Sequence, residues 1–163
     1  MIINNKELSA RIRLGFMMYV LVYLVFLVLS LVFNWSPKHH FELILSAVFL
    51  LGLIFFFIRG YKYIYFNTDG TKIILRYMGL QPLLYGNYAI EIPKSKFTKY
   101  KIKNEFFGLR SSLILYQQTE KGLSKYPPVS LSSLKKSEKR DIIEVLDKIK
   151  NLQQSYQFYF AWF

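Results

Sequence analysis

The sequence predicts a membrane α-hairpin followed by one small α+β domain, in which antiparallel strands are capped by a C-terminal helix. Three observations predict it. Two long apolar runs, residues 14–33 and 43–58, stand back to back near the N-terminus with a short polar break between them. Beyond residue 60 the apolar pattern changes from helical spacing to a period of two. One amphipathic helical pattern then returns after Ser137. The 163 residues divide accordingly into a basic arm (1–13), the hairpin (14–58), the sheet domain (59–154) and an aromatic tail (155–163).

The first run carries no charge between Arg13 and Lys38. A helix needs about 20 apolar residues to cross about 30 Å of hydrocarbon, so this run suits a bilayer. The second run is shorter. Phe41 extends it by a turn with Glu42 on the polar side, and a locally thin bilayer accommodates the remainder. Trp35 falls at the outer edge of the first span, as an interfacial aromatic does. Ser36 and Pro37 turn the chain, since proline is tolerated at a first helical position. Arg59 and Gly60 close the second span. The first run is too long for a signal-peptide core, no small-x-small cleavage pattern follows it, and a second run comes next, so it is expected to be retained. Gly15 and Gly52 are isolated, with no Gly-x-x-x-Gly pair. Association within the membrane is therefore expected to rest on Tyr19, Tyr23, Ser30, Ser46 and Ala47.

Net charge is +12 and mean hydropathy +0.21, with the apolar excess in the first third. From Arg59 onward there are 18 Lys/Arg against 8 Asp/Glu. The arm adds Lys6, Arg11 and Arg13 against Glu7, whereas the connecting loop has only Lys38. Basic residues stay on the cytoplasmic side, counted close to the span ends. Both termini are thus expected in the cytoplasm, with Arg11, Arg13, Trp35 and Arg59 marking the membrane interfaces.

In the sheet domain, YKYIYF (61–66) is aromatic and β-branched, a strand by composition. NTDG (67–70) is a turn, and TKIILRYM (71–78) returns. Residues 79–87 read as a loop. YAIEI (88–92) alternates until Pro93 breaks it. KFTKYKIK (96–103) alternates strictly, residues 104–108 turn, and LRSSLILYQQ (109–118) returns. A short strand is expected near 123–126. In the last helix Ile142, Val145, Leu146, Ile149 and Leu152 share one face, with Ser137 as N-cap.

This order resembles that of bacterial membrane proteins with a pleckstrin-homology-like (PH-like) domain. The residues that carry the likeness are 88–118, with Ile90, Glu91, Ile92 and Pro93 leading to the strand that returns as Leu113 to Tyr116, and 129–149, where Val129, Ser130, Leu131, Ser132, Ser133 and Leu134 precede the capping helix. The resemblance implies six or seven antiparallel strands in an open barrel or sandwich closed by that helix. It also implies the bacterial inner membrane, and binding or scaffolding rather than catalysis. It transfers no functional residues, and the aromatic tail departs from its usual pattern.

Cysteine is absent, which excludes disulfides, thiolate chemistry and cysteine metal sites. His39 and His40 are adjacent loop residues that rarely reach one metal ion, and no metal or other cofactor is expected. Glu42 at a helix start can reach water and favour the helix dipole. Lys94, Lys96, Lys99, Lys101 and Lys103 form a ladder suited to anionic headgroups or an acidic partner, or equally to a protected edge strand. No nucleic-acid motif accompanies the charge, and the membrane already explains a basic cytoplasmic domain. No Walker loop, Gly-x-Ser-x-Gly or His-Glu-x-x-His occurs, so the chain is not expected to be an enzyme. Tyr156, Phe158, Tyr159, Phe160, Trp162 and Phe163 form a run that must be covered by a partner, the membrane interface or the domain itself. Two functions are thus expected. The first is an accessory or scaffold subunit of a larger membrane complex, docking through hairpin, domain and tail. The second is a stand-alone module that binds anionic lipid.

Overall fold

The computed structural model describes residues 1–33, 39–80 and 86–160, apart from the side chains of 154 and 156–160. Helix α1 (Lys6–Phe33) has 28 residues and α2 (His40–Arg59) has 20. At about 1.5 Å per residue α1 is roughly 42 Å long, which exceeds a hydrocarbon core of about 30 Å. Its opening turns, with Lys6, Glu7, Arg11 and Arg13, therefore project past the apolar stretch. Both helices are long and apolar enough to cross a membrane. Protein does not cover their apolar surface: Leu43 is 70% exposed and Val32 71%. Gly60 ends α2 at φ 54°, its N–H bonding the Phe57 carbonyl at 3.1 Å. Glycine adopts this left-handed geometry without steric penalty.

Strands β1 (Ile2–Asn4), β2 (Lys62–Asn67), β3 (Lys72–Gly79) and β4 (Asn87–Pro93) make one antiparallel sheet in that order. Strands β5 (Phe97–Glu105), β6 (Arg110–Thr119) and β7 (Gly122–Lys125) make a second, with β8 (Val129–Ser130) pairing the same edge of β6 as β7 does. Helix α3 (Lys136–Phe160) packs on β5. The period-two pattern delivers the core: Ile64, Phe66, Ile73, Leu75 and Ile92 from the first sheet meet Leu113, Leu115, Leu131, Ile142 and Leu146 from the second half, all at 1% exposure or less.

The strands form two separate antiparallel sheets, with no closed barrel among the described residues. Pro93, which has no N–H to donate, ends β4 and a 3-10 turn at Lys94–Lys96 carries the chain to the other sheet, while β1 occupies the free edge of β2. Residues 2–4 are β1, with Ile3 buried opposite Phe66, and α1 begins at Lys6. Helix α3 runs to Phe160, into the aromatic tail expected at 155–163. The lysine ladder is not one strand, because Lys94 and Lys96 lie in the 3-10 turn.

Candidate functional site

The two ends of the hairpin enter the sheet domain side by side. Asn5, immediately before α1, is 3% exposed. Its Nδ2 donates to Ser133 Oγ at 3.0 Å and to the Lys62 carbonyl at 3.2 Å, and its Oδ1 accepts from the Ile64 N–H at 2.7 Å. Ser133 Oγ donates to the same Lys62 carbonyl. Ser130 Oγ donates to the carbonyl of Arg59, the last residue of α2, at 3.3 Å. One serine-rich segment thus holds both helices, and a buried amide satisfies β2 backbone groups that would otherwise be orphaned.

Cations gather at this joint. The Arg59 guanidinium lies 5.2 Å above the Phe55 ring, and Lys62 Nζ lies 4.5 Å above Tyr77. The Arg110 guanidinium packs on Gly60, 3.3 Å from where a Cβ would stand. Burial pulls the Lys62 amine below the usual lysine range, and Arg110 pulls it further. Lys139 is lowered likewise, by burial first and then by Arg59 and Lys136. The Nε atoms of Arg59 and Arg110 are buried without a hydrogen-bond partner. Glu105, 3.6 Å from Arg110 Nε and 2.7 Å from Lys103 Nζ, offsets part of this charge. The hydrogen bond from Lys103 is the main reason its carboxyl stays below the usual range. Arg59, Lys62, Arg110 and Lys139 thus make the joint basic, with Glu105 paired to Arg110 at its edge.

Inside the hairpin several polar groups bond from one helix to the other. Tyr19 donates to the Phe49 carbonyl at 3.1 Å, Tyr23 and Ser46 share a hydrogen bond at 3.1 Å, and Ser30 donates to Glu42, whose other oxygen lies 3.7 Å from His39 Nδ1. Phe16 stacks on Phe56 at 4.4 Å and Tyr23 on Phe49 at 3.9 Å. Tyr19, Tyr23, Ser30 and Ser46 therefore join α1 to α2, while Ala47 faces outward. No cluster of three His, Asp or Glu able to hold a metal ion occurs among the described residues.

A Cβ on Gly52 would fall onto the Tyr19 phenol. Gly52→Leu is expected to prise the helices apart at a cost of about 1–3 kcal/mol, as overpacking does. With cysteines placed at Phe16 and Phe56, cross-linking in the parent should be efficient and should drop sharply in Gly52→Leu. Undiminished cross-linking would refute the close approach at Gly52.

The ladder lysines do not converge on one site. Lys99, Lys101 and Lys103 line the exposed face of β5, an edge strand, and Lys99 stacks over Tyr116 at 5.3 Å. At about 3.3 Å per residue Lys99 stands roughly 13 Å from Lys103, and only the Lys103 end reaches the joint. Arg59 sits within the joint, and Arg11 lies on an early turn of α1 beside Lys6, Lys135 and Glu138, around a polar recess of about 420 Å³. Arg13 follows on α1 and is exposed. Trp35, Trp162 and Phe163 lie outside the described residues. Tyr156, Phe158, Tyr159 and Phe160 belong to the last turns of α3, and their side chains are outside the described set. Ile149 is the last core residue of α3 and Leu152 is 59% exposed, so the helix continues roughly three turns past the core.

Helix α3 is pinned to β5 by Tyr100, whose hydroxyl donates to Asp147 at 2.8 Å. Burial first, then the bond to Asp147 and its charge, push the phenol up to about 12. The folded chain holds this proton more tightly than the unfolded one. The resulting stability is complete below about pH 10 and is lost as pH rises towards 12. Tyr100→Phe should flatten unfolding free energy against pH in that window, and an unchanged slope would place the dependence elsewhere.

Sequence reasoning missed Asn5, Lys62, Arg110, Lys139 and the individual roles of Ser130 and Ser133. The Asn5 side-chain bonds run to residues 57 to 128 positions away, which no local pattern signals. No protein-family model, no curated protein and no solved structure matches the chain.

Proposed function

We propose that this chain is a non-enzymatic accessory or scaffold subunit of a bacterial inner-membrane protein complex serving transport, secretion or motility. The hairpin is its anchor, the sheet domain lies on the cytoplasmic face, and the end of α3 is its docking element. The observation that carries this reading is the continuation of α3 past its last core residue into a sequence dense in Tyr, Phe and Trp. An aromatic-rich helical segment is one form in which a helix enters a partner's groove. Tyr19, Tyr23, Ser30 and Ser46 bond across the hairpin, which favours an anchor over a conduction path. The likeness to bacterial PH-like membrane proteins points the same way, towards binding rather than chemistry.

The test is purification of tagged full-length protein from its native membranes in mild detergent. A stoichiometric membrane protein should accompany it and be lost from a variant lacking residues 156–163 whose hairpin and sheets remain folded. A second reading, an anchored module for anionic lipid, is favoured by the cation cluster at the joint. Recovery of the chain alone with bound anionic lipid would select it.

A further inference from the structure

The hairpin between β5 and β6 ends in an aromatic tip that the fold leaves bare. Phe106 is 50% exposed and Phe107 110%, as open as an isolated residue. Both hold left-handed backbone angles, φ 51° and 55°, followed by Gly108 at 85°. A side chain in that region costs about 1 kcal/mol or more, and Asn or Gly would serve the turn at less. The turn is nevertheless well determined. Glu105 pairs with Arg110 across the hairpin, the Leu109 N–H bonds the Phe106 carbonyl at 3.1 Å, and Ser111 Oγ donates to Asn104 at 2.7 Å.

The position of the tip identifies what covers it. Arg110, three residues after Phe107, packs its guanidinium on Gly60, the residue that caps α2. Three residues reach at most about 10 Å along the backbone, so the two rings stand close to the arginine whose side-chain tip contacts the end of the second apolar helix. The same short stretch carries Lys101, Lys103 and Arg110, with Arg59 and Lys62 beyond Gly60. Aromatic rings ringed by lysine and arginine are the composition of a membrane interface, where the rings enter the headgroup layer and the cations meet phosphate.

We propose that Phe106 and Phe107 form a second membrane contact, entering the interface of the leaflet from which α2 emerges and fixing the sheet domain against the bilayer. This rests on the reading that α1 and α2 span the membrane. The two are separable with single tryptophans in the full chain, with Trp35→Phe and Trp162→Phe as background. The chain is reconstituted in phosphatidylcholine–phosphatidylglycerol vesicles carrying lipids brominated at defined acyl depths.

Phe107→Trp, with Phe106→Trp as a second probe, should emit at shorter wavelength than a tryptophan in water. It should be quenched by shallow bromines and be several-fold less accessible to acrylamide than Leu123→Trp on β7, which pairs with the opposite end of β6. Phe26→Trp, on the exposed face of α1, should be quenched by deep bromines. If Phe26→Trp is quenched at depth while both tip probes emit as in water, the tip proposal falls and the spans stand. If Phe26→Trp escapes deep quenching, the spanning reading falls and the tip proposal with it. Tip probes shielded from acrylamide but untouched by bromines would overturn the proposal in favour of a protein cover.

Discussion

Asn5→Ala is expected to destabilise the chain by about 3–4 kcal/mol, because each buried partner it abandons costs about 1–3 kcal/mol. The Ile64 N–H, the Lys62 carbonyl and Ser133 Oγ would all lose a bond. The damage should be local before it is global. The Ile64 amide, now shielded, should exchange with solvent far faster, while amides of β6 keep their protection. Denaturant unfolding in micelles measures the loss, and a change below about 1 kcal/mol would mean that Asn5 is not the joint described. Asn5 and Ser133 share the Lys62 carbonyl, so their effects should not add. Ser133→Ala in the Asn5→Ala background should cost clearly less than in the parent.

Phe66→Ala is expected to cost about 3–5 kcal/mol, the range for deleting a buried aromatic ring. Phe66 is fully buried on β2, facing Ile3 of β1 on one side and Leu75 of β3 on the other. The surrounding backbone is held by strand pairing on both flanks, so the cavity cannot collapse easily. Two readouts should separate. Near-ultraviolet dichroism and exchange protection of the sheets should be lost, whereas the Phe16–Phe56 cross-link across the hairpin should persist. That hairpin is held by its own stacks and hydrogen bonds. Loss of both together would show that the hairpin depends on the sheets far more than these contacts imply.

These expectations place structural weight on residues the sequence does not advertise. The apolar runs, the period-two strands, the turn at 67–70 and the amphipathic face from Ile142 to Ile149 follow from composition and spacing, because burial of one face is a local property of the pattern. The short elements did not follow. β1 is three residues long and β8 two, and each exists only because a long strand offers it an edge. The choice between open barrel and sandwich was not legible for the same reason: which edges pair depends on where β1 settles and how the 3-10 turn redirects the chain.

The sequence by itself determined that two helices are long and apolar enough for a membrane, that an antiparallel sheet domain follows, and that its charge is strongly basic. Those are sums and periods over neighbouring residues. Only the tertiary structure decided that Asn5, Arg59, Lys62, Ser130 and Ser133 meet in one joint, and that Arg110 comes to rest on Gly60. Only it decided that Lys99, Lys101 and Lys103 line an edge strand while Lys94 and Lys96 lie in the 3-10 turn before it. Hydrogen bonds and cation clusters act over a few ångströms in space, and here they join positions up to 128 residues apart along the chain, which no local pattern records.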